Sequence, residues 1–306
     1  MRKKWGLGSC LVTVACITMA GLAPALAQSF PSKNVSLVVP FPPGGGPDLM
    51  ARVFAEKLAS QWGKPVIVEN RPGAGALLGA QAVAKSPADG HTLLLTTNTM
   101  VISPHVLAPG AGGGVDVHAD LLPVVAPATT PMAMLAHAGL GAVSHLCSLL
   151  FRQALGTDFQ TVPFGGTAPA LNALLGSQVD LLCDQTTNTT SHIKAGTVKM
   201  YGVTTPNRIA AMPDQPSLDE QGMKGFQMVV WHGVYAPKGT PPAVLEKLNG
   251  AVRAALNNPG FQTRMKELGA DVVPESKRTS QGLKSWLQAE TERLGLVIRS
   301  AGTYAD

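Results

Sequence analysis

The residues best suited to bind a ligand follow the first apolar segment after residue 34, where Gly44-Gly45-Gly46 leads directly into Pro47 and Asp48. Glycine allows a backbone to approach a ligand closely, and the free N–H groups at the start of a helix favour an anion. A proline at the first helical position is compatible, because its missing N–H would have had no partner inside the helix. A proline and glycine cluster also forms ordinary turns, so an anion site and a plain turn both remain open.

Other chemistries find little support in the sequence. The loop at Gly44 lacks the Gly-Lys-Ser/Thr ending of a phosphate-binding loop, and Gly73-Ala74-Gly75 is followed by its next glycine at position 79, which misses the dinucleotide pattern. There is no H-E-x-x-H, no G-x-S-x-G and no cysteine spacing typical of zinc. Ser144 and His145 are neighbours, but adjacency does not make a nucleophile and its base. We expect no catalytic residue, metal or cofactor, and a nucleotide-dependent enzyme is the weakest alternative.

The first 27 residues have the layout of a secretory signal peptide. Three basic residues at positions 2–4 precede an apolar stretch over about 7–23, and Ala25-Leu26-Ala27 offers a cleavage site. A lipoprotein signal at Cys10 is disfavoured, because this cysteine comes before most of the apolar stretch. No later segment reaches the roughly 18 apolar residues that a membrane span needs. We therefore expect cleavage near Gln28 and a periplasmic protein.

The charge of the chain gives no support for nucleic-acid binding. The formal charge of +5 includes three basic and no acidic residues in the first 27, so the remainder carries +2. No run of lysine or arginine follows, and the few aromatic residues are scattered. We expect no nucleic-acid partner. The remaining length suits two medium-sized domains.

The elements that position the glycine loop read as a β-α-β-α-β unit. Strands are predicted at 35–39, 66–68 and 92–96, separated by a helix starting at Pro47 and a short helix ending at Ala84. The first strand is apolar at nearly every position, which is typical of a parallel strand covered on both faces. Right-handed crossovers then place the strands in one parallel sheet.

A second group of elements follows, and the C-terminal part is mostly helical. Strands are predicted at 162–164, 179–182 and 198–204, with a helix over 169–175. The division that follows is a first lobe formed by 28–128 and 229–306 and a second lobe formed by 129–228. The C-terminal helices carry two apolar stripes typical of core faces: Val244, Leu248, Val252 and Leu256, and Leu283, Leu287, Leu294 and Ile298.

Two cysteines, Cys147 and Cys183, remain after the predicted signal peptide. They could pair in an oxidising compartment. A sequence contains no Cα separation to compare with disulfide geometry, so two buried free thiols are the favoured interpretation.

An ordered series of motifs extends along the chain. It consists of Leu37 to Asp48 with its Pro-Phe-Pro-Pro-Gly-Gly-Gly core, Val68-Glu69-Asn70-Arg71-Pro72-Gly73-Ala74-Gly75, Ala88-Asp89-Gly90, Ser144-His145-Leu146, Val162-Pro163-Phe164, Asp180 with Asp184, His192-Ile193-Lys194-Ala195-Gly196, and Trp231 to Thr240. In this order the motifs resemble the tripartite tricarboxylate transporter receptor (Bug) family. Several motifs in fixed order are far more specific than any one of them.

The resemblance implies an α/β, two-lobed protein of the periplasmic binding protein type II class, with parallel-sheet lobes and an interlobe cleft. Such a receptor captures a di- or tricarboxylate, an amino acid or an aromatic acid and presents it to membrane permease components. It is not an enzyme, and we expect a monomer. A ligand sensor that serves a signalling protein would use the same binding site and remains open.

The resemblance also implies a set of ligand contacts. Arg71 is not among them, because beside Glu69 it is expected to form a local salt bridge. The first lobe would hold a carboxylate through backbone N–H groups of the glycine loop, and the second lobe would close over it. The implied contacts are Phe41, Gly44, Gly45, Gly46, Asp48 and Asn98 in the first lobe and Gly139, Gly141, His145, Phe164, Gly166, Thr167 and Asp184 in the second.

One departure from the family concerns the second lobe. Between Leu135 and Ala138 the chain lacks roughly 30 residues that such receptors carry, which is the length of a βα unit. We expect the sheet of the second lobe to be a strand short and one apolar face to lack its covering helix. Large apolar side chains that lose about 1.5 to 3 kcal/mol of burial each would soon offset the roughly 5 to 15 kcal/mol that stabilises a protein. A destabilised or defective receptor is therefore a further alternative.

Overall fold

A computed structural model describes residues 30–107, 113–134, 143–157 and 159–301. The predicted signal peptide and two predicted ligand contacts, Gly139 and Gly141, lie outside these residues. Among the residues described, no helix has both the length and the apolar run needed to cross a bilayer.

Strands and helices alternate along most of the chain. Strands β1 to β9 span Val35–Val39, Val66–Asn70, Thr92–Thr97, Leu121–Val125, Ala128–Met134, Cys183–Gln185, Gly202–Val203, Val229–Pro237 and Asp271–Val272. Helices α1 to α9 span Gly46–Trp62, Leu77–Ala84, Thr99–Val106, Val143–Leu155, Thr167–Leu175, Thr186–Lys194, Pro242–Leu256, Pro259–Glu267 and Ser280–Ala301.

The first lobe forms as its sequence pattern predicts. Strand β1 pairs in parallel with β2 and β3, and its alternate side chains enter two different cores, with Val38 in one and Leu37 in the other. Helix α1 buries Met50, Phe54 and Leu58 completely against the second of these cores. The helix ends where Gly63 adopts a left-handed conformation with φ 60°.

The sheet is mixed, and this corrects the expectation of purely parallel lobes. Strand β8 is antiparallel to β3, β4 and β5. Strand β5 in turn pairs antiparallel with β6 and with β7. The reason is that β8 carries the chain back from the second lobe to the first, and so runs against the strands it joins. The α/β, two-lobed class itself is confirmed.

The C-terminal helices bury the predicted stripes. Leu248, Val252 and Leu256 are fully buried on α7, while Val244 is partly buried. Leu283, Leu287, Leu294 and Ile298 are buried on α9. Helix α7 packs on the first lobe, whereas α9 packs on α3 and β4 of the first lobe and also on α4 of the second.

The second lobe departs most from the predicted elements. The predicted helix forms as α5, but no strand forms at 162–164 or at 179–182, and only Gly202–Val203 of 198–204 is a strand. A strand exists only where a neighbour accepts and donates its backbone hydrogen bonds. Within the described residues this part of the sheet consists of β5, β6 and β7, and none of them pairs with 162–164.

Cys147 on α4 and Cys183 on β6 form a disulfide, so the expectation of free thiols is wrong. Helix α4 packs against β6 and brings the two Cα atoms to 6.2 Å. This separation lies within the range that a disulfide can bridge. The pairing depended on a helix–strand contact that cysteine spacing does not reveal.

Candidate ligand-binding site

A cavity of about 310 Å³ lies where loops of the two lobes face each other. Its walls are mostly turns and helix starts. From the first lobe come Pro40, Phe41, Pro42, Pro43, Gly45, Pro47, Pro72, Gly73, Gly75, Ala76, Thr97 and Thr99. From the second lobe come Val143, Ser144, Phe164, Gly165, Gly166, Thr167, Ala168, Pro169, Ala170, Asp184 and Gln185.

Six helices begin at the walls of this cavity. Helices α3, α4 and α5 place their first residues in the lining, and α1, α2 and α6 place Pro47, Ala76 and Gln185 there, each within one residue of the helix start. The first N–H groups of a helix have no partner inside it, and the helix macrodipole gives this end a partial positive charge. The convergence of helix starts makes the cavity a favourable environment for an anion.

Of the three glycines of the loop, only Gly45 lines the cavity. Gly45 lines the cavity, whereas Gly44 is exposed and bends the chain at φ 83°. The N–H of Gly44 donates to Oδ2 of Asp48 at 2.9 Å. Gly46 is buried, and a Cβ atom added to it would lie 2.2 Å from Oγ1 of Thr187. The start of α1 therefore touches the start of α6 across the two lobes.

Asp48, expected to contact the ligand, lies behind the loop and does not line the cavity. Its carboxylate accepts two hydrogen bonds from Arg52, at 2.9 and 3.0 Å, and one from Asn70 at 2.9 Å. Burial alone would raise the pKa of Asp48, but the hydrogen bonds from Arg52, Gly44 and Asn70 together lower it. An ionised Asp48 thus holds the loop in shape from behind.

Asn98 is also absent from the cavity lining. It is fully buried, its Nδ2 donates to the carbonyl of Val229 at 3.0 Å, and its backbone N–H donates to the carbonyl of Trp231 at 3.1 Å. Both contacts tie the end of β3 to β8. Asn98 therefore holds the end of β3 on β8 through its two N–H donors, while its buried Oδ1 has no hydrogen-bond partner within the described residues.

The structure brings together six of the predicted contacts. Phe41 and Gly45 of the first lobe face Phe164, Gly166, Thr167 and Asp184 of the second. The described part of the chain does not include the side chain of His145.

The predicted contacts omitted several residues of the lining, among them Thr97, Thr99 and Gln185. Thr97 and Thr99 follow from the rule that ligands bind at the carboxyl ends of parallel strands, applied to β3. Gln185 had no comparable signal, because the start of α6 depends on the short strand β6.

Asp184 is a buried carboxylate in the lining, only 1% exposed. Its Oδ1 accepts from the N–H of Gln185 at 2.6 Å and from Nδ2 of Asn188 at 3.2 Å. Burial raises the pKa of Asp184, although hydrogen bonds from Thr167, Gln185 and Asn188 oppose the increase.

Two further expectations concern residues near the loop and metal binding. Arg71 and Glu69 form the predicted salt bridge, with 2.7 Å between the nearest nitrogen and oxygen atoms, and neither lines the cavity. Across the described ranges, no three or more His, Cys, Asp or Glu side chains are grouped closely enough to hold a metal ion.

Comparison with known proteins places the chain among binding proteins. The model of the tripartite tricarboxylate transporter family receptor matches residues 50–142 and 134–303. An Agrobacterium vitis protein from the ttuE-ttuC' intergenic region is 38% identical over 94% of this chain and 91% of its own length. Protein BugT of Bordetella pertussis is 30% identical, with 94% and 95% covered.

Solved structures agree with these relatives. The periplasmic binding protein BugD superposes with a TM-score of 0.84 at 37% identity, covering 90% of this chain and 100% of BugD. MatC from Rhodopseudomonas palustris, solved with bound malate, gives 0.81 at 35% identity, with 88% and 100% covered. An R. palustris protein solved with adipate gives 0.82 at 28% identity, with 89% and 98% covered.

The alignment lengths show that some positions of a relative have no counterpart in this chain. The alignment to the A. vitis relative extends over 316 positions but holds 94% of the 306 residues of this chain, about 288, which leaves about 28 positions without a counterpart here. The family model matches in two segments that overlap over residues 134–142. The chain belongs to the tripartite tricarboxylate transporter receptor family, whose members are substrate-binding proteins and not enzymes.

Proposed function

We propose that this chain is an exported receptor that captures a small carboxylate in the periplasm and presents it to the permease components of a tripartite transporter. The observation that supports this proposal best is the convergence of six helix starts on one cavity whose described lining contains no lysine, arginine or histidine. Backbone N–H groups are then the main source of positive potential for the ligand.

The energies of such contacts are sufficient. A hydrogen bond to a charged group contributes roughly 1.5 to 3 kcal/mol, and micromolar affinity needs about 8 kcal/mol in total. Three or four N–H groups on one carboxylate, together with burial of the rest of the ligand, reach this value. No catalytic group is needed for the task.

The size of the cavity favours a small ligand. A volume of about 310 Å³ is near the lower end of the roughly 300 to 1,000 Å³ typical of ligand pockets. Malate and adipate, bound in the two R. palustris structures, are of a suitable size. Because both lobes contribute to the lining, a ligand would stabilise the closed arrangement, and the closed form is what a membrane partner would recognise.

Thermal stability measured with a panel of ligands tests the proposal. The panel contains di- and tricarboxylic acids, amino acids and aromatic acids, with the uncharged diamides of the same acids as controls. At a hundredfold excess over Kd, the true ligand should stabilise the protein by about 2.7 kcal/mol. Folded protein that responds to none of the acids would contradict the proposal.

A charge placed at the loop sharpens this test. In Gly45→Asp the new side chain has room, since the nearest atom to an added Cβ is 3.8 Å away, and the backbone φ of −79° suits any residue. The added carboxylate should lower affinity more than tenfold by repelling the ligand at short range. Gly250→Asp, on α7 where an added Cβ meets nothing within 4 Å, is the matched control and should bind normally.

A further inference from the structure

The only ionisable side chain in the described lining of this anion-binding cavity is an acid, Asp184. Placing a carboxylate beside a carboxylate ligand is unfavourable unless something compensates for the repulsion. A fold that already provides six helix starts for an anion gains nothing for that purpose from Asp184. The residue therefore requires a different explanation.

The surroundings of Asp184 arrange it as a hydrogen-bond acceptor. The N–H of Gln185 and Nδ2 of Asn188 both donate to its Oδ1, and the carboxylate lies just before the start of α6, where negative charge is favoured. Burial raises the pKa of Asp184, so its ionised form gains from a donor on the ligand that compensates for burial, and in that form the carboxylate offers the ligand only acceptor sites.

A second acceptor lies beside it. Oε1 of Gln185, another lining residue, is buried and has no hydrogen-bond partner within the described structure. Buried polar atoms without partners are rare in folded proteins and call for a partner such as a ligand or an ordered water. Gln185 thus adds an unpaired acceptor next to Asp184 in the chain, and this acceptor faces Gly46 of the glycine loop, 3.2 Å from the position of an added Cβ.

We propose that Asp184, supported by Gln185, selects ligands that carry a hydrogen-bond donor, an ammonium or hydroxyl group, next to their carboxylate. This inference rests on the proposed function and deepens it. The helix starts bind the carboxylate of the ligand, and Asp184 accepts a hydrogen bond from its ammonium or hydroxyl group. An acid that brings acceptors alone would leave Asp184 facing like charge in a buried site, whereas a 2-amino or 2-hydroxy acid would satisfy it.

Matched ligand pairs test this selection. Isothermal titration of the full-length protein compares succinate with malate and aspartate, glutarate with 2-hydroxyglutarate and glutamate, and adipate with 2-aminoadipate. At the chain length that binds best, the donor-bearing acid should bind at least tenfold tighter than the unsubstituted acid. Equal or tighter binding of the unsubstituted acid at each length would overturn the inference and leave the proposed function standing. Binding of no acid to folded protein would overturn both.

A substitution separates selection from a structural role. Asp184→Asn keeps an oxygen to accept from Gln185 and Asn188 but removes the charge, so the preference for the donor-bearing acid should fall at least tenfold while the unsubstituted acid binds equally or more tightly. Asp180→Asn, an exposed position in the same segment outside this lining, is the control. A variant that weakens both members of a pair equally would show a structural role for Asp184 and overturn the inference. Should Asp184→Asn fail to fold, the ligand pairs on the unaltered protein still decide.

Discussion

The two lobes differ in the length and pairing of their strands. In the first lobe, β1, β2, β3, β4 and β8 pair side by side, and most apolar residues of the helices on its two faces are buried, with Leu78 and Leu296 as exposed exceptions. In the second lobe, β6 and β7 are three and two residues long. The difference shows that the length of a strand depends on the neighbours available to pair with it.

The disulfide lies in the less complete lobe. It joins α4, whose start lines the cavity, to β6, which contains Asp184. Near the disulfide the segments at 159–162 and 179–182, which form neither helix nor strand, flank a second cavity of about 270 Å³. We infer that the covalent link holds α4 on β6, a task that neighbouring strands share in a complete sheet. Four measurements test this comparison of the two lobes.

The largest expected effect comes from truncating a core aromatic residue in each lobe. Phe54 is fully buried and packs edge-on against Phe261, so Phe54→Ala should lower the free energy of unfolding by about 3 to 5 kcal/mol. Phe151 is half-buried against Phe159 and Phe226, so Phe151→Ala should cost less than half as much. Urea unfolding of both variants measures the difference. Equal costs would show that the second lobe is packed as completely as the first.

Removing the disulfide should have the next largest effect. The bond links residues 36 apart, and a loop of that length implies a stabilisation between about 3 and 4.7 kcal/mol. The double variant Cys147→Ser, Cys183→Ser should unfold at correspondingly lower urea and bind ligand less tightly. Reduction of the disulfide in the unaltered protein should lower its stability in the same way. The same reductant added to the double variant is the control and should change nothing. Unaltered stability on reduction would contradict a role for the disulfide in holding the second lobe.

Acid should act on the strand that joins the lobes. Burial lowers the pKa of His232 on β8 to about 4, whereas the unfolded chain titrates near 6.5. Protonation of His232 therefore favours unfolding. The contribution of neutral His232 to stability is fully present above pH 6.5 and is lost as the pH falls toward 4. The loss amounts to about 3 kcal/mol, from about 1.4 kcal/mol for each pKa unit.

Unfolding by urea at a series of pH values measures this loss. His232→Gln should remove most of the slope between pH 6.5 and 4, and the exposed His118→Gln serves as the control. A slope that His232→Gln leaves intact would assign the acid sensitivity to other groups.

The smallest expected effect concerns the contact between the lobes. In Gly46→Ala the new methyl group would lie 2.2 Å from Oγ1 of Thr187, so α1 and α6 would be held apart. Ligand affinity should fall about tenfold, or about 1.4 kcal/mol, with little change in the free energy of unfolding. Gly250→Ala is the control. Adding Thr187→Ala to Gly46→Ala should restore binding, and failure to restore it would place the defect within the loop itself.

The elements of the first lobe and about half of the candidate contacts could be predicted from the sequence. The strand at 35–39 and the stripe from Met50 to Trp62 have strong periodicity, and their neighbours in the chain are also their neighbours in space. The strands predicted at 162–164 and 179–182 do not form, because strand propensity does not provide a neighbouring strand to pair with. Asp48 and Asn98 belong to the right loop and strand end, but their side chains turn to Arg52 and Val229 instead of the cavity.

The order of motifs determined that this chain belongs to one family of binding proteins, since motif order depends only on residue type and spacing. Tertiary structure alone decided that Cys147 reaches Cys183, that α1 meets α6, and that helix starts from distant parts of the chain surround a single cavity containing Asp184. The physical reason is that side-chain direction and through-space distance are set by packing between elements, and these quantities have no local signal along the chain.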